Sequence, residues 1–330
     1  MIDRIQLRQP LTPSEVDKVV QICHLLPVNS DNVKYKSGPD RKLTGVTVKI
    51  DTNGVAHIAC SLHKIYNKNR YGCLDNTGIC TVGDIRFAAL ELLPQLVGVD
   101  ISRATIRTVE IGMTMTMNHD PTVYVGWIVS ITVRNEVKEF FTDPDYMADS
   151  LKSTIRKNAR HSYKIYSKTR EIRDKRRAAA ARVSAADKFL RIETKHVYKD
   201  KKLPTLAEYV TTAHLRRLIL QFVRDWSTAK FASYIPEADA VPSAAHLWAS
   251  MIQIYGITEF RRQTDRMFDA KAITAASCQK RMAFADEWGN AGKRYAAGAK
   301  SPYGDEFLRV LRMNSMAIKD EAEAGAVKCP

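Results

Sequence analysis

Two β-rich runs, LTGVTVKI (43–50) and VAHIACSL (55–62), are joined by the four residues DTNG (51–54). Branched apolar residues on both sides of a short polar turn ending in glycine predict a β-hairpin, and a hairpin commits the chain to antiparallel pairing. Other segments extend the same texture. IDRIQLRQ alternates near the start, and IRTVEIGMTMTM (106–117) places Val109, Ile111, Met113 and Met115 on one face and Glu110, Gly112 and Thr114 on the other. HSYKIYSK (161–168) and FLRIETKHVY (189–198) read as two more strands. Thr12, Pro13 and Ser14 predict the cap of a helix running to about Leu26, and TVGDIRFAALELLPQL a capped amphipathic helix. Residues 28–42 read as a polar loop, SLHKIY as a strand end leading into an Asn- and Lys-rich loop, and REIRDKRRAAAARVS as a basic helix or ordered loop. VYVGWIVSITV (123–133) fits a strand or a helical crossover. After Lys202 the periodicity turns helical, from AEYVTTAHLRRLILQFVRDW onward. The expectation is an α+β chain: an antiparallel-sheet domain over 1–205 followed by an α-helical domain over 206–330, with no internal repeat.

Charge narrows the partners. Lys and Arg total 51 against 36 Asp and Glu, a net +15, which favours a polyanion and most commonly nucleic acid. From Lys152 to Arg177 there are eleven Lys or Arg and two acids, Glu171 and Asp174. Single-sign clustering of this kind suits phosphate contacts. Arg156, Lys157, Arg160, Lys164, Arg170, Arg173, Lys175, Arg176 and Arg177 are the candidate DNA-binding residues. The six cysteines lack the paired spacing of a zinc site and are expected to be reduced thiols. No apolar run is long enough to span a membrane and the N-terminus has no apolar signal core, so a cytoplasmic location is expected, with no membrane partner.

Two carboxylates stand in strand-like apolar contexts, Glu110 in RTVEIGM and Glu193 in LRIET. Each alone is most simply a solvated residue on a sheet face. Together, with a tyrosine-bearing strand between them in sequence, they could hold a divalent metal beside a phenol, a constellation suited to phosphodiester transfer. A phenol of ordinary pKa near ~10 needs neighbouring positive charge to attack at neutral pH, and Lys164 and Lys168 flank Tyr166. His63, after the 55–62 run, is a candidate metal or phosphate ligand; His57, His119 and His161 are weaker ones. No GxxxxGK[ST], GxSxG or HxH motif occurs.

MIDRIQLRQPL, the succession SLHKIYN then TVEIGM, the KIYSK element and LRIETKHVYKDKKLPTLAEY occur in an order that resembles the replication initiators of the filamentous-phage gene II type and the related initiators of small circular phages and plasmids of Bacteroidetes. The resemblance covers residues 1–210. It implies an antiparallel-sheet nuclease domain, a divergent HUH/Rep-like arrangement, that nicks and rejoins origin DNA to start rolling-circle replication. The family's nucleophile falls on Tyr166 and its accompanying lysine on Lys168. The acidic position after the central helix falls on Glu110, where the filamentous-phage pattern has aspartate, and the LRxE glutamate on Glu193. Mg²⁺ or Mn²⁺ is the implied cofactor, held by Glu110 and Glu193 with His63. Origin DNA is the implied substrate, single-stranded or supercoiled, with host helicase and polymerase as candidate partners. Tyr163, three residues earlier, is a rival nucleophile that could share a face with Tyr166. A non-enzymatic origin-binding initiator or repressor is the alternative, and an RNA-binding protein a third reading should the sheet expose an aromatic platform.

Overall fold

The structure is a computed structural model and describes residues 2–28, 30, 32–38, 45–142, 150–153, 160–174, 187–199, 203–231, 244, 247–248, 251–252, 257–286 and 302–324. The sheet-forming part is built from β1 (Ile2–Pro10), β2 (Leu25–Pro27), β3 (Val33–Ser37), β4 (Val46–Asp51), β5 (Val55–Cys60), β6 (Thr105–Thr116), β9 (Phe141–Thr142), β10 (Ser150–Lys152), β11 (His161–Ser167) and β12 (Phe189–Val197). These form one ten-stranded sheet in the order β2-β3-β4-β5-β1-β6-β12-β11-β10-β9. Every adjacent pair is antiparallel. A second sheet joins β7 (Ile128–Val133), β8 (Glu136–Glu139) and β13 (Lys230–Phe231).

The hairpin forms where the sequence places it. Gly54 adopts φ +75°, and the Asp51 carboxylate accepts from the backbone N–H groups of Asn53 and Val55. Reading outward from the central β1–β6 pair, both halves of the large sheet follow one topology. The earliest strand of each half lies innermost, the latest beside it, and the others follow in reverse order: β1, β5, β4, β3, β2 on one side, β6, β12, β11, β10, β9 on the other. A helix follows the innermost strand in each half, α1 (Pro13–Ile22) after β1 and α5 (Pro121–Trp127) after β6. The recurrence is one of strand order, to which residue spacing is blind.

Between the halves, α2 (Leu62–Tyr71) precedes a continuous helix made of α3 (Val82–Phe87), a π-helical stretch Ala88–Leu92 and α4 (Leu93–Val97). Residues 62–71 are therefore helical where a strand end and loop were expected: Ser61 caps α2, its side chain accepting from the Lys64 N–H, and Gly72 ends it at φ +74°. The 121–133 segment takes both of its open readings in turn, helix then strand. β3 lies inside the expected 28–42 loop, and α1 stops at Ile22 so that Leu25–Pro27 can pair with it.

The later helices are α6 (Lys168–Asp174), α7 (Leu206–Tyr209), α8 (Thr212–Trp226), α9 (Ile257–Asp269), α10 (Ala275–Asp286) and α11 (Pro302–Ala324). One face of the sheet buries Ile5, Leu7, Val48, Ile58, Val109 and Ile192 beneath helices. Leu206, Leu215, Phe222, Trp226, Phe307 and Leu311 belong to that same core. Residues on the two sides of position 205 thus share one apolar interior, while Ile252, Phe260 and Ala285 form a small separate cluster. The opposite face of the sheet carries Arg4, Gln6, Arg8, Lys49, His57, Glu110 and Lys195, none of them buried.

Candidate active site

Arg191 organises the polar centre of the sheet. It sits on β12 with no exposed surface, so every polar group of its guanidinium needs a partner in the protein. Its Nη2 lies 2.8 Å from Asp3 Oδ2, its Nε donates to Glu193 Oε1 at 3.3 Å, and its Nη1 donates to Thr114 Oγ1 at 2.8 Å and the Asn76 carbonyl at 3.0 Å. Room for it exists because β6 carries Gly112 at this point: a Cβ there would lie 2.3 Å from Nη2. That explains a glycine in the interior of a long strand. Asp3 is held in turn by the Asn76 side chain, which donates at 2.5 Å, and by the Ser61 hydroxyl at 3.3 Å. The cap of α2 and the 72–81 connection therefore fix the acid that pairs with Arg191.

Tyr166 lies opposite Arg191 on β11, and Lys164 opposite Glu193, so all four side chains share one face. The Tyr166 hydroxyl donates to Glu193 Oε1 at 2.8 Å. Burial pushes the Glu193 carboxyl up to about 7, with the Asp3 charge adding to the rise and Arg191 opposing it. Burial also works to raise Asp3, but Arg191, then Lys168 and Lys64, outweigh it and hold that carboxyl well below its usual range. Glu110 belongs to the same electrostatic cluster. It faces the Lys195 ammonium at 3.8 Å, and burial raises it against the pull of Arg4 and Lys195. Its charge is felt at Glu193, two register positions away across β6 and β12.

The flanking lysines do not play the part expected of them. Burial, followed by the charges of Glu193 and Glu171, drives the Tyr166 phenol well above its ordinary value. Lys168 is buried against Glu171 at 2.5 Å, and Lys164 Nζ stands 5.0 Å from the Tyr166 ring centre. The described contact of the hydroxyl is with the Glu193 carboxylate. Tyr163 lies on the other face of the sheet, since an odd separation on a strand reverses the side-chain direction. It pairs with Thr194, packs edge-on to Trp226 and donates to Asp225 at 3.0 Å in the apolar interior. The two tyrosines do not share a face.

His63, at the start of α2, is buried at 1% exposure with both ring nitrogens lacking a hydrogen-bond partner among the described residues. It lines a cavity of about 20 Å³ with Cys80, Gly112, Thr114, Arg191 and Asn314, room for a single water. Burial, helped by the Arg191 charge, pulls its imidazole well below the ordinary value. It shares that cavity with Arg191 and feels the charges of Arg191 and Asp3. Of the basic run, Arg160, Arg170 and Arg173 are exposed and Lys164 is half-buried beside Tyr166. Arg156, Lys157, Lys175, Arg176 and Arg177 lie outside the described residues.

Sequence reasoning reached Tyr166, Glu193 and Glu110 but missed Asp3, Arg191, Ser61 and Asn76. Arg191 had a usable signal, a cation at the centre of the apolar strand FLRIET. Asp3 had none, because only the strand order reveals that the first strand is central. Among the described residues no three His, Cys, Asp or Glu side chains are arranged to enclose a metal ion. The donor chemistry still suits a hard cation: three carboxylates share the neighbourhood with one guanidinium, and Mg²⁺ characteristically binds through one or two carboxylates while keeping several waters. The five cysteines in the described residues are free thiols. No known protein-family model matches the chain, and no curated protein matches it at a meaningful level of similarity.

Proposed function

We propose that the protein is a metal-dependent DNA nicking and rejoining enzyme of the rolling-circle initiator kind, with Tyr166 as nucleophile. One observation carries the reading: the Tyr166 hydroxyl donates to Glu193, a carboxyl whose affinity for a proton is raised towards neutrality. A general base works best when its pKa lies near the operating pH. Glu193 takes the phenolic proton as Tyr166 Oη attacks phosphorus. As the bond from phosphorus to the 3′ oxygen breaks, that oxygen takes the proton from Glu193, so the strand keeps a free 3′-OH and the 5′-phosphate stays on Tyr166. In the reverse step Glu193 takes the proton of the attacking 3′-OH and passes it to the departing phenolate, which reseals the strand, so the phosphodiester energy is conserved and no nucleotide is consumed.

Arg191 is the positioning residue. Its bond to Glu193 Oε1 and its ion pair with Asp3 fix the base where the phenol can reach it. Glu110 and Glu193, with His63, are the residues that would hold a divalent cation, which would supply Lewis-acid polarisation of a non-bridging phosphate oxygen. The exposure of Arg160, Arg170 and Arg173 and the half-exposure of Lys164 support a role for them in phosphate contact. Incubation with labelled origin DNA and Mn²⁺, followed by denaturing gel electrophoresis, tests the reading. A covalent adduct abolished by EDTA and by Tyr166→Phe is expected. Retarded native complexes without any adduct would instead favour the non-enzymatic origin-binding initiator.

A further inference from the structure

The half of the sheet away from Tyr166 carries a second feature that its fold does not require. Arg8 on β1 is the register partner of His57 on β5, His57 of Lys49 on β4, and Lys49 of Lys36 on β3. Four consecutive strands thus place Arg8, His57, Lys49 and Lys36 side by side in one row on the open face. Lys36, Lys49 and His57 are exposed and Arg8 is half-exposed, with exposed Lys34 on the same face of β3. Like charges directly opposite on neighbouring strands destabilise a sheet. Asp51 relieves only His57, at 3.1 Å. Among the described residues, Arg8, Lys36 and Lys49 have no carboxylate partner. Lysine on an open sheet face usually serves solubility, but that role does not call for cations in register across neighbouring strands.

We infer that this row is a phosphate track for single-stranded DNA, continuous with the Tyr166 site. Arg4 and Lys195 lie between the two, on β1 and β12. Across the sheet, the five strand spacings from β12 to β3 cover about 24 Å, and along the strands the row meets β6 at Thr105, about 30 Å from Thr114, the register position of Arg191 and Tyr166. Charge complementarity selects a polyanion, and the site selects a single strand. Tyr166 is only 5% exposed, so the phosphate it meets must be carried in by a backbone that can bend inward, which a flexible strand does and a duplex does not. The row also follows the sheet's twist, which a single strand tracks readily. The inference rests on the nicking reading for its substrate, yet binding can be measured without cleavage.

The test uses the full chain carrying Tyr166→Phe, with and without Lys34→Ala, Lys36→Ala and Lys49→Ala, and fluorescence anisotropy on labelled oligothymidylates of increasing length. The triple substitution is expected to weaken binding to long strands at least ten-fold, leave the shortest unaffected, and lower the salt slope by about 2, near 0.7 per lost phosphate contact. Adduct formation by the triple variant with Tyr166 intact, on a short oligonucleotide, is expected to match that of the parent protein. Unchanged affinity and slope on long strands would overturn the track. So would an equal loss at every length, or a loss confined to duplex DNA or heparin. Failure of the nicking reading would show separately, as absence of adduct in the parent protein whatever the anisotropy result.

Discussion

Arg191 joins two acids that come from distant parts of the chain, Asp3 and Glu193. Removing the cation from a buried cluster leaves uncompensated carboxylates, which typically costs 3–5 kcal/mol. Arg191→Met is accordingly expected to lower the unfolding free energy by about that much in urea titration, and to abolish adduct formation even where folded protein remains. A second effect at this scale concerns the end of β12 remote from the site. His161 and His196 are register partners whose Nδ1 atoms lie 3.0 Å apart. Burial, then the His161 and Arg134 charges, pulls His196 down to about 4 from its ordinary 6.5. The folded protein therefore holds this ring neutral while the unfolded chain protonates it below 6.5. The stabilisation is complete above pH 6.5 and is lost as pH falls towards 4. Stability measured across that interval is expected to decline with acidification, and less steeply in His196→Gln.

At the scale of elements, the 43–62 hairpin and the 106–117 strand were legible because a polar turn and strict alternation state their geometry locally. The opposite outcome at 62–71 is equally physical. LHKIYNKNRY has few apolar residues, Leu62 and Ile65 among its buried ones, and Ser61 at its N-cap and Gly72 at its C-terminus delimit the helix. Ser61 does two things, capping α2 and donating to Asp3. Ser61→Ala is expected to cost about 1 kcal/mol in thermal or chemical unfolding and, by loosening Asp3, to reduce nicking by more than the stability change explains. The direction of Tyr163 was decidable in advance from strand parity alone. The pairing of Lys168 with Glu171 was not, because it depends on α6 beginning directly after β11.

For the molecule as a whole, the strand order brings the first strand to the centre of the sheet and so brings Asp3 to Arg191, a consequence no local pattern expresses. The later helices close the same interior. The Tyr124 hydroxyl donates to Glu306 at 2.5 Å, the Asn118 N–H to the same carboxylate at 2.6 Å, and Trp226 donates to Thr194. A chain ending at residue 205 would leave the apolar face that Trp226, Phe222 and Phe307 cover open to water. It is expected to aggregate or unfold without cooperativity, whereas a soluble fragment with a sharp thermal transition would show that the sheet stands alone. The central claim is that one tyrosine of two forms the covalent link. The direct measurement is mass spectrometry of tryptic peptides after nuclease trimming of the protein–DNA adduct. A nucleotide mass is expected on Tyr166, with Tyr163 unmodified inside the core; a nucleotide on Tyr163, or an adduct that survives Tyr166→Phe, would overturn Tyr166 as the nucleophile.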